Sequence, residues 1–373
     1  MIRIDPRLKA FSWGQHGSMA RILALEDLAG PVAEAWFGAH ETDPSALPDG
    51  SDLAAFIAAD PERTVGGERL PYLLKILAIA SPLSIQVHPT LDQAHVGFEA
   101  EEERGVAIDA PDRTFRDPRH KPELIVALTP MRLLVGLRDV RELAADLRKL
   151  GADDLVALVD GRESLLTYVM AVLGGEAKTE VLDRLAHQPE GDSALALAGR
   201  AARAFPGDPG ALVALAMNPV VLQPGEGCYV PPRVIHSYQS GIGVEIMANS
   251  DNVVRGGLTP KMIDVARLEA ILDAQPAAPL RPVVARVGCA TTYAVPVEDF
   301  ALVRLERGAA HLPAVPRIVL ALDPTTVTTA SDSIQLDGGT AAFVPLSDGV
   351  AEVRTDGAAF VALPGGGAML VER

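Results

Sequence analysis

The sequence predicts a mainly β protein of two jelly-roll barrels, with an α-helical domain inserted into the first. Three observations lead there. From about Val140 to Asn218 the chain carries helical patterns and few strand signals, while short apolar runs broken by turns lie on either side. The frame Leu222-Gln223-Pro224-Gly225-Glu226-Gly227-Cys228-Tyr229-Val230-Pro231 returns as Leu336-Asp337-Gly338-Gly339-Thr340-Ala341-Ala342-Phe343-Val344-Pro345, sharing a leucine, a glycine turn and an aromatic-Val-Pro ending. Such an echo points to two related β-units. At 373 residues the chain exceeds one ordinary domain, so two or three units are expected.

Taken in order, residues 1–135 mix strand and turn signals with one helix over Ser51–Asp60, capped by Ser51 or Asp52. Between Leu70 and Pro89 two apolar runs parted by Ser81-Pro82 read as paired strands. Asp139 can cap a helix over Val140–Leu150, and helical patterns follow over Glu163–Leu173, Lys178–His187, Ala194–Ala204 and Gly210–Met217. Strand character returns at Pro219, with turns at Pro224-Gly225, Pro231-Pro232 and Ser240-Gly241. A helix over Pro260–Leu272 precedes a Pro/Ala-rich linker at Ala274–Pro279, and from Pro282 all is short strands. The expected division is a split barrel of the cupin kind at 1–135 and 219–272, a helical insertion at 136–218 and a C-terminal cupin-like barrel at 282–373. His236 follows the first copy of the frame and no histidine follows the second, so the second barrel is expected to be structural, without a metal site.

Composition narrows the function. A net charge of −16 argues against nucleic-acid binding, which needs an electropositive face. No apolar run reaches about 18 residues, which argues against a membrane span, and Met1–Pro6 lacks the basic and apolar regions of a signal peptide. Cys228 and Cys289 show no CxxC spacing, so a reduced, cytoplasmic protein is expected. No flavin or nicotinamide motif appears, and Gly365-Gly366-Gly367 lacks the strand–turn–helix setting a dinucleotide needs. The chain has only six lysines against an arginine-rich background, and Lys75, Lys121 and Lys261 fall in or near the stretches that carry chemistry. Unlike arginine, a lysine there can have its pKa lowered by burial or a nearby cation.

Those stretches are three. Gln86-Val87-His88 lies in an apolar run, and on a strand residues i and i+2 share a face, so both side chains aim into one pocket. Glu123 closes His120-Lys121-Pro122-Glu123 before a second apolar run, and His236 ends Val234-Ile235-His236 on a third. Two imidazoles, one carboxylate and one neutral amide, with a position left for water or substrate, make a catalytic zinc shell.

Gln86-Val87-His88-Pro89, His120-Lys121-Pro122-Glu123 and the long run from Glu245 through Asn249-Ser250-Asp251-Asn252 and Val253-Val254-Arg255-Gly256-Gly257 to Leu258-Thr259-Pro260-Lys261 resemble the type I mannose-6-phosphate isomerases. Trp13-Gly14 and Ala33-Glu34-Ala35-Trp36-Phe37-Gly38-Ala39-His40 are similar to that family too. The resemblance implies one Zn²⁺ per chain, a sugar phosphate as the small-molecule partner, and interconversion of mannose 6-phosphate and fructose 6-phosphate. Carried over by position, it implies zinc ligands at Gln86, His88, Glu123 and His236. It implies active-site cations at Lys121, Arg255, Lys261 and Lys75, and pocket positions at Ser84, His120, Tyr238, Glu245 and Asp251. Glu41-Thr42-Asp43-Pro44 departs from a more basic family version.

These residue types suit the reaction. Moving a proton between C2 and C1 through an enediol(ate) needs a cation on the sugar oxygens, and one anionic ligand leaves the zinc a formal charge of +1. Lys121, two residues from Glu123, shares its face, and the metal would push its pKa toward the neutral amine that a base requires. Asp251 is the alternative base, with Glu245 a competitor, and His120 or a zinc-bound water could open the sugar ring. Arg255 can hold the enediolate or the substrate through forked donors. Ser84 and Lys261, with Lys75, are the phosphate candidates, and Tyr238 is expected against substrate. The rival readings are a sugar-phosphate-binding cupin without turnover, an isomerase of another sugar, or a cupin oxygenase, which would prefer more histidine ligands. The sequence leaves the oligomeric state open, and a monomer is compatible with it.

Overall fold

One thirteen-residue strand, His236–Ala248, organises the N-terminal barrel in the structure, a computed structural model that describes residues 1–26 and 30–367. Its first half pairs with Ile85–Val87 and Met131–Leu137, its second half with Tyr72–Ile79 and Glu123–Ala127, all antiparallel. A single strand thus belongs to both walls of the jelly roll. Val254–Gly257 flanks Ile85–Val87, Glu34–Phe37 and Arg7–Lys9 extend the Tyr72–Ile79 side, and Gly227–Val230 and Met217–Leu222 complete ten strands. The expectation that the runs around Ser81-Pro82 pair with each other is corrected here. They lie on either half of the long strand, because its length leaves room for both along the same edge path.

Tyr72–Ile79 reads as an unbroken apolar run because both its faces are buried. Tyr72, Leu74, Ile76 and Ala78 pack between the two barrels with Phe300, Ile318, Phe343 and Phe360, while Leu77 and Ile79 face the first barrel's interior. Lys75 is the one charged residue of this strand. The Tyr72 hydroxyl donates across the junction to the carbonyls of Pro316 and Ala362 (3.1 and 3.0 Å).

The helical region follows the predicted pattern with local shifts. Helices cover Val140–Lys149, capped by Asp139, Thr179–Ala186, Ala194–Ala204, capped by Ser193, and Gly210–Leu215, which stops early because Met217 opens a strand. The helix expected over Glu163–Leu173 spans Leu166–Ala171 and runs into a π-turn, and a short helix at Asp153–Val156 was not foreseen. Leu143, Tyr168, Leu197 and Leu212 share one core with Ile85, Val87, Ile235 and Val254, so this region backs the strands that bear Gln86, His236 and Arg255.

Two helices differ more. Leu91–Glu103 is helical, with a Thr90–Gln93 capping box, but its weak amphipathicity hides it: Val96 is exposed and Glu101 buried. The helix expected over Pro260–Leu272 begins only at Val265, after Asp264 caps it, and so leaves Lys261 on a turn.

The C-terminal barrel is a seven-stranded and a four-stranded antiparallel sheet. Ile2–Ile4, expected with the first barrel, instead pairs with Ala341–Phe343 at the edge of the second, covering an otherwise open strand edge. Residues 368–373 of the expected barrel lie outside the described residues. The two copies of the repeated frame are equivalent arches rather than hairpins. Each carries the chain from one sheet to the facing one, turning at Gly225 (φ 86°) or Gly339 (φ 88°). Among the described residues no helix is long and apolar enough to cross a membrane.

Candidate metal centre and active-site cavity

A cavity of about 910 Å³ opens in the first barrel. Strand register explains who faces it. Arg255 lies opposite Gln86, and Gln86 opposite His236, so these three stand in one row across adjacent strands. Further along, Lys75 lies between Trp36 and Glu245 in the same manner. Simple alternation along His236–Ala248 would send His236 and Tyr238 to one face and Glu245 and Met247 to the other. The pairing slips by one between Tyr238 and Ser240, with Gln239 the extra residue, and this bulge brings all four to the cavity.

At one end the Glu123 carboxylate lies between two imidazoles. Its Oε1 is 3.1 Å from His88 Nε2 and its Oε2 is 3.3 Å from His236 Nε2. His88 Nδ1 is 2.6 Å from the Asn252 carbonyl and His236 Nδ1 is 3.1 Å from that of Val234. A carbonyl only accepts, so each Nδ1 carries the proton and each Nε2 turns a lone pair toward the carboxylate. Burial, helped by the Lys121 charge, pushes His88 down to about 4, which keeps the ring neutral. Neutral lone pairs facing a carboxylate repel unless a cation lies between them, and His88 Nε2 is indeed buried without a hydrogen-bond partner. Two donors about 2.1 Å from one ion and roughly 100° apart stand about 3.2 Å from each other. Both separations fit. Among the described residues this is the one cluster of its type, its ligand atoms lying within 4.8 Å of one another. Gln86 donates its amide to Ser84 Oγ (3.4 Å), and its carbonyl oxygen takes no part in that bond.

Around this centre the charges are paired. Burial favours the neutral acid of Glu123, but Lys121, 3.1 Å away, and the two imidazoles hold it well below the usual carboxylate range. The Tyr238 hydroxyl donates to Glu123 Oε2 (3.3 Å), so Tyr238 lines the cavity and helps hold that carboxylate. Lys75 stands 3.4 Å from Glu245 and 3.9 Å from Glu34. Burial would lower Lys75, but those carboxylates raise it, while burial and the Glu123 charge lift Glu245 to about 7. Lys75 therefore answers two buried acids and is not available as a phosphate cation, which corrects the expectation. Asp251 is held ionised despite burial by His40, whose Nε2 is 3.2 Å away, and by Lys121 and Arg116.

The other end is cationic. Arg116, Arg255 and Lys261 line it together, and Arg255, burial and Arg116 depress Lys261. Burial, then Arg116, depresses Arg255. Among the described residues none of these three cations is in an ion pair, although Arg116 also acts on Asp251, and together they make this end of the cavity the more positive one.

Of the sequence-predicted residues, Ser84, Gln86, Lys75, Lys121, Glu123, His236, Tyr238, Glu245, Asp251, Arg255 and Lys261 line this cavity, and His88 lies directly behind it. His120 does not. Its Nε2 is 2.8 Å from Asp299 of the second barrel, because alternation along the extended chain turns it away from Lys121 and Glu123. The acids of the departing segment also stay outside: Glu41 bonds Arg119 (2.7 Å), and Asp43 pairs with Lys9 and Arg7.

Comparison with known proteins agrees with this geometry. Residues 1–140 match the family model "Phosphomannose isomerase type I, catalytic domain". The chain is 33% identical over 326 residues to the mannose-6-phosphate isomerase of Shigella flexneri, covering 81% of this chain and 82% of that protein. The chain belongs to the mannose-6-phosphate isomerase family. The rat member is 28% identical over 409 residues, covering 95% and 91% of the two chains. A crystal structure of the Salmonella typhimurium member bound to substrate (F6P) and zinc superposes with a TM-score of 0.90 at 27% identity, over 98% of this chain and 99% of that one.

Reasoning from sequence missed several residues of the isomerase-family cavity. Arg116 sits in a loop with no pattern to single it out. His40 and Glu34 lie within the quoted Ala33–His40 run, and Asn252 within the long motif, where their presence was the available signal. Asn252 is buried and ties the loop at 116–119 to His88: its side chain accepts from Arg116 N (2.7 Å) and donates to the carbonyls of Asp117 (2.7 Å) and Arg119 (2.8 Å).

Proposed function

We propose that this chain interconverts mannose 6-phosphate and fructose 6-phosphate as a zinc-dependent aldose–ketose isomerase. One observation carries the reading: a single cavity joins a His–Glu–His donor set at one end to a cluster of three cations, none held in an ion pair, at the other. A sugar phosphate has the matching polarity, with vicinal oxygens at one end and a dianion at the other.

Gln86, His88, Glu123 and His236 would hold Zn²⁺. Bound there, the ion supplies Lewis-acid stabilisation of negative charge on the C1 and C2 oxygens. Arg116 and Lys261 take the phosphate, and Arg255, in register with Gln86, spans the distance between phosphate and reacting carbons. Lys121, beside a ligand carboxylate, carries the proton between C1 and C2. Asp251, ionised and anchored by His40, accepts sugar hydroxyls and orients the open chain. Glu245, balanced by Lys75, forms the cavity wall next to Glu123 and keeps the local charge near neutral. We also propose the division into a split catalytic barrel, a helical insertion and a second barrel, acting as a cytoplasmic monomer.

The test is a purified protein stripped with a chelator and assayed for conversion of mannose 6-phosphate. Activity should vanish on stripping and return with one zinc per chain, with little turnover of free mannose or glucose 6-phosphate. A metal-free protein with full activity, or a zinc-loaded one that converts nothing, would overturn the proposal.

A further inference from the structure

We infer that the second barrel positions the catalytic lysine, with Asp299 anchoring His120 so that Lys121 points into the cavity. The inference rests on the isomerase reading for the role of Lys121, but the anchor itself is a matter of geometry. Strand pairing begins only at Glu123, so Lys121 has no ladder partner of its own. The segment that carries it, residues 116–122, is clamped at its start by Asn252, which bonds the backbone of Arg116, Asp117 and Arg119. The first barrel also holds the backbone on either side of His120, through Ser250 Oγ to Arg119 O (3.3 Å) and Ala248 N to Pro122 O (3.2 Å), but among the described residues His120 finds the hydrogen-bond partner of its ring on the second barrel. Its imidazole leaves the opposite side of the chain from Lys121 and meets Asp299 at 2.8 Å. His120 and Lys121 leave opposite sides of the chain, so this contact steadies the backbone from which Lys121 reaches Glu123 (3.1 Å) and the cavity.

Asp299 is itself held by close packing. It lies in the connection between strands Ala290–Ala294 and Ala301–Leu305, and Gly365 supports that connection from below by donating to the Glu298 carbonyl (3.0 Å). A Cβ at Gly365 would come within 2.2 Å of the Val297 carbonyl and 3.0 Å of that of Phe300, so only glycine allows this approach. Gly365, the first of the three consecutive glycines, thus finds its place as the bed of the anchoring loop, while a Cβ at Gly366 would meet nothing. Both members of the pair are about one quarter exposed, His120 at 24% and Asp299 at 23%, so either can be replaced without opening a core.

The experiment compares Asp299→Ala, Asp299→Asn and His120→Ala in the full-length zinc-loaded protein. Backbone hydrogen exchange of the peptide spanning 116–123 is read alongside kcat, KM, bound zinc and Tm. We expect Asp299→Ala to speed exchange in that peptide and to lower kcat by about tenfold, with KM, zinc content and Tm close to the parent. Asn at 299 still accepts from the imidazole and should restore most of both signals. Combining His120→Ala with Asp299→Ala should cost no more than the larger single loss. Unchanged exchange at 116–123 in Asp299→Ala overturns the anchor, whatever the activity. Faster exchange with parental kcat, or losses that multiply in the double variant, overturns the positioning role. If the parent converts no mannose 6-phosphate, the functional reading fails separately, and the exchange data still decide the anchor.

Discussion

Asn252→Ala removes one side chain that touches neither substrate nor metal, yet it should weaken both stability and zinc binding. The amide makes three short bonds, to Arg116 N (2.7 Å), Asp117 O (2.7 Å) and Arg119 O (2.8 Å), from a fully buried position. Each such bond is worth about 1 kcal/mol net, and a stranded buried partner costs about 1–3 kcal/mol. Water can reach some of the partners, because the loop is only partly buried, so the total should be about 2–4 kcal/mol. The Asn252 carbonyl also receives the Nδ1 proton of His88 at 2.6 Å, which fixes the ring whose Nε2 faces Glu123, its partner in the proposed zinc site. Loosening such a partner typically costs about 10- to 100-fold in metal affinity, or roughly 1.4–2.7 kcal/mol. Asn252→Asp should resemble alanine, since its second oxygen would face two carbonyls in place of an NH₂. Chelator competition for zinc and thermal unfolding of the stripped protein check the two halves independently. Parental zinc affinity in Asn252→Ala would refute the link between this loop and the ligand.

Other expectations follow from the same geometry. His236→Ala should lose bound metal and isomerase activity together, by elemental analysis and assay; retention of both would place the ligand elsewhere. Lys261→Ala and Arg116→Ala should each raise KM for mannose 6-phosphate about tenfold at unchanged zinc content and flatten the dependence of KM on salt. Asp117 is raised to about 6, chiefly by burial, above its ordinary 3.8. Its contribution to stability is therefore full below about pH 4 and is lost as pH rises through about 6, on the order of 2–3 kcal/mol. Urea unfolding of the stripped protein between pH 4 and 7 should show that fall, and Asp117→Asn should make it shallower.

The sequence was most informative where chemistry and period coincide. Gln86 and His88 two apart on an apolar run, Glu123 heading another and His236 ending a third gave the donor set, because strand alternation is a local property. Where alternation is interrupted the reading had no purchase. Glu245 and Tyr238 differ in parity, and only the bulge at Gln239 makes them neighbours in one cavity. Residue type alone puts Lys75 among the phosphate cations, since its partners Glu34 and Glu245 arrive from strands far apart in sequence. His120 was placed in the cavity with its motif, although the alternation that aims Lys121 inward must aim its neighbour out. Leu91–Glu103 escaped notice because its apolar residues gather on no single face, even though its capping box was legible.

By itself, then, the chain determined the kinds of element, where the helices concentrate, the repeated arch, and the His88, Glu123 and His236 side chains that meet in one cluster. These depend on residue type and spacing within about a dozen positions. Tertiary structure decided which strands meet, how the long strand serves both walls, which cations gather at one end of the cavity, and that the second barrel reaches back to the first through Asp299. Those outcomes depend on contacts between residues 179 and 290 positions apart, such as His120 with Asp299 and Tyr72 with Ala362. No local pattern encodes them, because the energy that selects them appears only once both partners are buried together.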